Sequence, residues 1–249
     1  MDAMAATQRE TNFHFVNTSS RPPCKLLGSA MYIRNTTFWK RNGLSIVVLL
    51  LMLGTWLGQI LTGHVVYNEE LADLGAPQLN PLEYLASGHF VSATFENWES
   101  EFLQMGMYVL LSVSLRQKGS AESRPMDSSQ EEDRVEGGPT PWPVRVGGIW
   151  LKLYEHSLAL AFGALFLLSF ALHLDGSWRH ESVQRQLERK PPVDLWDYLG
   201  SAQFWFESFQ NWQSEFLAVA ALVLLTIFLR QKDSPQSKPV DAPHSQTGT

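Results

Sequence analysis

The sequence contains a single cysteine, Cys24, among its 249 residues, which excludes an intrachain disulfide and leaves no cysteine pair with metal-site spacing. It also lacks a glycine-rich phosphate loop, a nucleophile elbow, an HExxH motif and paired CxxC motifs. We therefore expect no metal site, no cofactor and no enzymatic activity. The net charge of −6 and the absence of a continuous basic stripe argue against a nucleic-acid partner.

Lysine and arginine are missing from residues 42–115, a stretch of 74 residues bounded by Arg41 and Arg116. Because positively charged residues are enriched in cytoplasmic loops, this distribution predicts cytoplasmic N- and C-termini and outward-facing loops at 63–97 and 175–211. The second loop contains four basic residues of its own, so its side is inferred from its likeness to the first. The first 30 residues lack the apolar core of a signal peptide and predict none.

Apolar residues are concentrated in four blocks, and two of these are long enough to cross a membrane. Residues 44–61 carry no charge, and a second block extends from 149 to 174. The other two, 102–115 and 216–229, have only 14 residues each. Since a span needs about 20 residues, these two must be extended by the residues before them.

A segment of the chain returns at a spacing of 114 residues. Residues 84–127 align with residues 198–241 without a gap, and 22 of the 44 positions are identical. Self-similarity at a fixed period indicates a repeated structural unit. With two spans in each unit, the two units have the same orientation, and we expect a pseudo-two-fold axis along the membrane normal.

The sequence therefore predicts an all-α, four-span integral membrane protein made of two tandem parallel two-helix repeats. Its predicted parts are listed here in chain order: a polar N-terminal extension (1–37), repeat unit 1 (38–118, spans about 44–63 and 97–116), a flexible cytoplasmic linker (119–148), repeat unit 2 (149–232, spans about 150–174 and 211–230) and a disordered tail (233–249).

The stretch leading into each short span has helical periodicity. Apolar residues, most of them aromatic, recur at steps of 4, 3 and 4 from Val91 and from Trp205. A membrane-interface belt is predicted for Phe95, Trp98, Trp205, Phe209 and Trp212. We infer one long helix in each unit, roughly 88–117 and 202–231. A polar face adjoins the aromatic one, and its members are the candidate site: Asn97, Ser100 and Glu101, with Asn211, Ser214 and Glu215.

Two interpretations of this polar face remain open. In the first, the carboxylates of Glu101 and Glu215 face each other inside the bundle and share a proton or a cation. In the second, each helix begins at Asn97 or Asn211, which cap it, and the carboxylates only favour the helix dipole.

The histidines near the ends of the third span give a weaker signal. His156 and His173 correspond to Asn42 and Gln59 in the first unit, so no symmetric histidine site is expected. A lone histidine at a helix end is more often a satisfied interfacial residue than a ligand. His64 and His89 in the outer loop lack the spacing of a metal site.

Two duplicated motifs carry a resemblance to a known family. The segments Asn-Trp-x-Ser-Glu-Phe-Leu and Leu-Arg-Gln-Lys, together with Gly-His-x-x-Tyr-Asn-Glu-Glu at 63–70, resemble an uncharacterised bacterial multi-pass membrane-protein family, a domain of unknown function. The resemblance covers roughly residues 38–240. It implies a multi-pass protein of the bacterial inner membrane and no particular activity.

Two classes of function are consistent with these features. One is a small ion or proton channel or transporter that uses the polar helix face. The other is a structural or partner-binding membrane protein, related to the envelope or to stress. The expected partners are the lipid bilayer and either a homo-oligomer or another membrane protein.

Overall fold

A computed structural model describes residues 38–127 and 137–248, and within these ranges the chain is helical without a strand. The helices are α1 (Phe38–Asp73), α2 (Pro81–Leu85), α3 (Gly88–Ser114), α4 (Trp142–Val146), α5 (Gly148–Glu155), α6 (Ser157–Leu187), α7 (Leu195–Leu199) and α8 (Ala202–Phe228). The chain divides into two units, residues 1–52 and 53–249. Among the described residues the first unit contributes the beginning of α1, and the second contributes the remainder. The N-terminal extension predicted for 1–37 lies outside the described residues.

The long helices α3 and α8 both begin well before the repeated asparagines of the motif, Asn97 and Asn211. Ser87 caps α3 by accepting a hydrogen bond from the Phe90 amide at 3.2 Å, and Ser201 caps α8 through the Phe204 amide at 3.3 Å. The bounds of α7 and α8 are those of α2 and α3 plus 114. The prediction of long helices from about 88 and 202 is confirmed, and the interpretation in which Asn97 and Asn211 cap these helices is wrong.

Three helices are long and apolar enough to cross a membrane, namely α1, α6 and α8. This is three candidate spans and not the predicted four. Helix α3 is not among them, because charged and amide side chains between Glu96 and Gln104 lower its hydropathy. The span predicted at 150–174 is also interrupted. The helix breaks at His156, so that α5 ends and α6 begins there.

The distribution of side chains is the reverse of that in a water-soluble bundle. The apolar windows of the three candidate spans are 0%, 11% and 6% buried. The buried positions of α3, α6 and α8 are largely small or polar, as in Ser92, Thr94, Ser177 and Ser208. Small and polar residues at helix contacts with apolar residues facing outward are typical of helices packed in lipid. The fold therefore agrees with a membrane protein.

Helix α3 lies at the centre of the second unit and packs against both α6 and α8, most extensively against α6. Its other side is covered by an aromatic cluster in which Tyr67 and Leu71 of α1, Tyr84 of α2 and Phe90 of α3 are buried. The side chain of Gln59 in α1 donates to the Ala93 carbonyl at 3.1 Å. These contacts fix α3 against both of its chain neighbours.

The segments after α3 and α8, predicted to be mobile, make specific contacts in the structure. Lys238 is only 1% exposed, and its Nζ donates to the carbonyl oxygens of Gly119 at 2.5 Å and Gln246 at 2.9 Å. The Gly248 amide in turn donates to the Ser120 carbonyl at 2.9 Å. The structure thus joins the beginning of the linker to the C-terminal tail.

Candidate functional site: a buried carboxylate–imidazole pair below a polar cavity

Glycine allows α3 and α6 to approach each other closely. A Cβ atom on Gly176 would lie 2.5 Å from the Ser92 amide nitrogen, and one on Gly88 would lie 2.5 Å from the His180 nitrogen. Beside these positions the hydroxyls of Ser92 and Ser177 are hydrogen-bonded at 2.5 Å and buried. Such close packing of the two backbones also brings together a side chain one turn away on α6 and a side chain two turns away on α3.

The most buried of these side chains are Glu99 of α3 and His173 of α6, each 0% exposed. His173 Nδ1 donates to Glu99 Oε2 at 2.8 Å, and Trp212 Nε1 of α8 donates to Glu99 Oε1 at 2.9 Å. Each carboxylate oxygen therefore has a donor from a different helix. The ring of His173 packs against Phe204, which is also fully buried, at 5.0 Å between centroids.

The second ring nitrogen of the histidine has no such partner. His173 Nε2 is buried without a hydrogen-bond partner among the described residues. With Nδ1 donating to the carboxylate, Nε2 is the position at which the imidazole can gain or lose a proton. The pair therefore has one nitrogen, His173 Nε2, that can exchange a proton without the loss of a hydrogen bond to the described residues.

A polar cavity of about 540 Å³ opens at the ends of α3 and α6 that lie near α7. Its charged or titratable lining residues are Glu96, Glu181, Glu207, His89, His180 and Tyr198, and Ser92, Ser177, Gln184 and Gln203 complete its polar wall. The lining contains three carboxylates and two imidazoles but neither lysine nor arginine among the described residues. Arg185 pairs with Glu181 at 2.6 Å from outside the lining, and the carboxylates of Glu96 and Glu207 make the cavity favourable for cations.

Glu96 links the cavity to the buried pair. It lies one helical turn before Glu99 on α3, and Asn211 Nδ2 donates to its Oε1. On the opposite wall, Ser177 lies one turn after His173 on α6 and shares its hydrogen bond with Ser92. The cavity thus ends one turn from the pair on both helices.

The cavity wall formed by α7 holds a phenol in its neutral form. Tyr198 is 4% exposed, and burial raises its pKa to about 12, with the carboxylate of Glu207 acting in the same direction. At neutral pH the Tyr198 hydroxyl is therefore a hydrogen-bond donor at the cavity surface.

Beyond the pair, the interior contains aromatic rings together with the buried polar side chains of Ser169 in α6 and Gln104 in α3. Phe166 packs against Trp212 at 6.2 Å and against Phe170 at 5.9 Å between ring centroids. The groove that follows between α3 and α6 is lined by Leu103, Gly106, Phe162 and other residues without polar side chains. The polar cavity is therefore closed at its deep end by the buried pair and this aromatic layer.

The predicted polar face has the same local hydrogen bonds in both helices. Asn97 donates to the carbonyl four residues before it at 2.8 Å, and Asn211 does so at 3.2 Å. Ser100 and Ser214 both donate to the carbonyl three residues before them at 2.8 Å.

Their surroundings differ, so the predicted site does not come together as a whole. Asn97 and Glu101 are exposed, whereas Ser100 is only 2% exposed. In α8 the burial is different: Asn211 contacts Glu96, Ser214 is exposed and Glu215 is half-buried. Glu101 is near enough to Glu215 for their charges to interact, but its own exposure places this contact outside the bundle interior.

The predicted aromatic belt is largely a packing surface within the protein. Trp205 and Phe209 are 5.4 Å apart between ring centroids, and Phe95 and Trp98 are 5.3 Å apart. Trp212 contributes the hydrogen bond to Glu99 described above. Of the five, Phe209 is the one classed as exposed, at 56%. Contact of these residues with lipid remains a prediction.

Sequence reasoning missed the buried pair because it required both units to carry the same site. The positions equivalent to Glu99 and His173 are Gln213 and Gln59. The available signal was a difference between equivalent positions. Glu99 and His173 are ionisable, whereas Gln213 and Gln59 are not.

No group of three or more histidine, cysteine, aspartate or glutamate side chains in the described ranges has the arrangement of a metal site. Comparison with curated proteins finds no match, and neither does comparison with solved structures. A family model, described as a domain of unknown function (DUF6766), matches residues 35–249. With most of its length matched, the chain belongs to this family of domains of unknown function (DUF6766).

Proposed function

We propose that this protein is a non-enzymatic integral membrane protein that transfers protons, with Glu99 and His173 as the proton-carrying pair. The observation that supports this proposal is the complete burial of a carboxylate and an imidazole between helices of an apolar bundle. Ionisable residues inside a membrane bundle are energetically costly, and they commonly mark ion pathways or proton relays.

The energetic argument favours a functional role over a purely structural one. Moving a carboxylate such as that of Glu99 from water into the bundle interior costs several kcal/mol, which a buried partner repays only with excellent geometry. An apolar pair of similar volume would hold α3 and α6 together at a lower cost. The unused Nε2 of His173 gives the pair a further property that an apolar pair lacks, namely a site for proton exchange.

The cavity supports proton uptake from one side. Carboxylates attract protons and cations toward the cavity, and Glu96 and Ser177 lie one turn from the pair. Because Glu99 and His173 have no solvent exposure, the cavity ends at the pair and this conformation is not an open pore. The geometry favours a carrier of the alternating-access type. It would bind the proton from one side and release it to the other side after α3 moves against α6.

The proposal includes α3 as a fourth membrane-crossing helix, although its hydropathy does not identify it as one. Its polar side chains Ser92, Glu99 and Gln104 are buried against α6 and α8 rather than facing lipid. The proposal also keeps three expectations from the sequence, namely a location in the bacterial inner membrane, cytoplasmic termini and two tandem repeats. In that orientation the cavity opens outward.

Proton flux into liposomes containing the purified protein tests the proposal. A potassium gradient with valinomycin drives proton uptake, which a trapped pH-sensitive dye reports. We expect the parent protein to conduct protons, and Glu99→Gln or His173→Gln to reduce the flux at least roughly tenfold, as loss of a proton relay does.

The matched control is Glu101→Gln, alone and with Glu215→Gln, since Glu101 is an exposed carboxylate two residues from Glu99 on the same helix. These variants should retain the parent flux. Size-exclusion profiles of all variants exclude misfolding as the cause of any loss. Flux no greater than in empty liposomes, or equal flux in the parent and Glu99→Gln, would contradict the proposal.

A second candidate function is partner binding, and exposed aromatic side chains near the cavity favour it. Trp196 of α7 is 73% exposed and Phe206 of α8 is 64% exposed. Absence of flux in the parent, together with cross-links from these two positions to another membrane protein, would support this candidate instead.

A further inference from the structure

Helix α8 meets the buried pair at two positions on one face of the helix. Phe204 packs against the ring of His173 at 5.0 Å between centroids. Two turns later, Trp212 Nε1 donates to Glu99 Oε1 at 2.9 Å. Ser208 lies one turn after Phe204 and one turn before Trp212, and residues four apart share a helix face. The side chain of Ser208 therefore faces the pair from α8.

The hydroxyl of Ser208 is buried and has no hydrogen-bond partner among the described residues. The residue is only 1% exposed. Serines inside a helix commonly bond to a carbonyl of the preceding turn, as Ser214 of the same helix does at 2.8 Å. A buried hydroxyl without a partner costs free energy, and alanine would fill nearly the same volume without that cost. Packing alone therefore does not explain a serine at this position.

A hydroxyl matches the chemistry of His173 Nε2, which is also buried without a partner among the described residues. With Nδ1 donating to Glu99, Nε2 of the neutral ring is an acceptor, and a hydroxyl can donate to it. When Nε2 carries a proton it becomes a donor, and the same hydroxyl oxygen can accept. An ammonium group or a carboxylate would serve only one of these two states. Ser208 therefore suits both forms of the imidazole.

The equivalent positions of repeat unit 1 show a similar neighbourhood. At the spacing of 114 residues, Gln59 corresponds to His173. Thr94 corresponds to Ser208, is only 2% exposed, and has a buried hydroxyl without a partner among the described residues. Gln59 Nε2 donates to the carbonyl of Ala93, directly before Thr94, at 3.1 Å. The equivalent contact brings His173 to the turn of α8 that contains Ser208.

We infer that the Ser208 hydroxyl bonds to His173 Nε2, after rotation of the serine between its staggered positions, and passes the proton to and from this nitrogen. This inference rests on the proposed proton transfer and deepens it by naming the group that exchanges a proton with the imidazole. On uptake, the serine O–H bond breaks as its proton moves to Nε2, and the serine oxygen takes a proton from the cavity side. The serine stays neutral, and release reverses both transfers. Glu207, which precedes Ser208 in α8, lines the cavity.

Solid-state 15N NMR of the full chain in liposomes, with the histidines labelled, tests the contact directly. Two ring resonances are missing in His173→Gln, and the one from the unprotonated nitrogen belongs to Nε2. Loss of a hydrogen bond to an unprotonated ring nitrogen moves its resonance downfield, so the spectra are recorded at alkaline pH. We expect this shift in Ser208→Ala and not in Ser208→Thr, which keeps the hydroxyl.

Proton flux into the same liposomes tests the transfer. Ser208→Ala should reduce the flux roughly tenfold, as loss of a positioned proton-transfer group does, and Ser208→Thr should retain it. Thr94 shows that the equivalent turn of α3 accommodates a buried threonine. Ser214→Ala is the matched control, because Ser214 is an exposed serine of the same helix whose hydroxyl bonds to its own backbone. This control should change neither the resonance nor the flux.

An unchanged Nε2 resonance in Ser208→Ala would overturn the contact. A shifted resonance with the flux of the parent would overturn the transfer, because the proton would then not pass through the serine. The same result for alanine and threonine would show that side-chain volume and not the hydroxyl matters, and would overturn the inference as well. Absence of flux in the parent would contradict the proposed function and with it the transfer, whereas the resonance still decides the contact.

Discussion

Glu99 and His173, which are 74 residues apart in the sequence, share a 2.8 Å hydrogen bond in a place where neither side chain has any solvent exposure. The bond joins the central helix α3 to α6, and Trp212 adds a third helix to the same carboxylate. The pair is therefore both a junction of the bundle and the deepest polar group below the cavity. The junction role predicts that substitutions of the pair lower stability, and the proposed proton-carrying role predicts that they lower proton flux.

The stability of the bundle should show strong coupling between the two residues. Glu99→Ala or His173→Ala leaves the other group buried without its partner, which costs about 3–5 kcal/mol. Glu99→Gln/His173→Gln recreates the pair of glutamines found at the equivalent positions 213 and 59. We expect this double variant to be more stable than either alanine variant. Unfolding in mixed micelles with increasing denaturant measures these differences.

Close packing of α3 on α6 should depend on glycine at two positions. Gly176→Ala places a Cβ 2.5 Å from the Ser92 backbone nitrogen, so the helices must separate, and we expect a loss of about 1–3 kcal/mol. Gly163→Ala is the control on the same helix, because a Cβ there meets no atom within 4 Å. Since alanine is the better helix former, this control should be neutral or stabilising. Equal thermal stability of both variants would contradict the role assigned to Gly176.

The sequence predicts the helices well because their signals are local. The steps of 4, 3 and 4 between apolar and mostly aromatic residues identify α3 and α8, and serines cap their first turns. Both helices end three residues before the predicted positions. Leu115 and Leu229 adopt extended conformations there, and the guanidinium groups of Arg116 and Arg230 donate to the helix carbonyls of Val113 and Ile227.

The site could not be predicted in the same way, because burial depends on which helix packs against which face. Glu99 and Glu101 belong to one motif and differ by two residues, yet the first is fully buried and the second is exposed. Only the approach of α6, permitted by Gly88 and Gly176, decides between them. A pattern within α3 alone contains no information about that neighbour.

Alkaline pH should destabilise the protein through Tyr198. Its pKa rises from the ordinary value of 10 to about 12 in the folded state, mainly through burial. The folded state therefore keeps the proton that the unfolded state loses, so this contribution to stability is complete below pH 10 and is lost between pH 10 and 12. The phenolate absorbance near 295 nm, taken as the difference between the parent and Tyr198→Phe, should titrate near pH 12. A midpoint near 10 would show that the phenol is not buried.

The C-terminal tail should be held in place by a single buried ammonium group. Lys238 Nζ donates to the carbonyl groups of Gly119, His244 and Gln246 at 2.5, 3.1 and 2.9 Å. Lys238→Met keeps most of the volume and leaves these acceptors without a donor, at a cost of about 1–3 kcal/mol. Because exchange of backbone amides follows local opening, we expect exchange at residues 231–248 to accelerate roughly tenfold to a hundredfold.

Exposed Lys232 provides the matched control for this variant, since Lys232→Met removes the same charge from the same tail without removing a buried donor. Exchange in Lys232→Met should equal that of the parent. The opening caused by Lys238→Met should also extend to the start of the linker, because the Gly248 amide bonds to the Ser120 carbonyl. Acceleration confined to the last residues, with Ser120 and its neighbours unchanged, would mean that the lysine does not hold the two segments together.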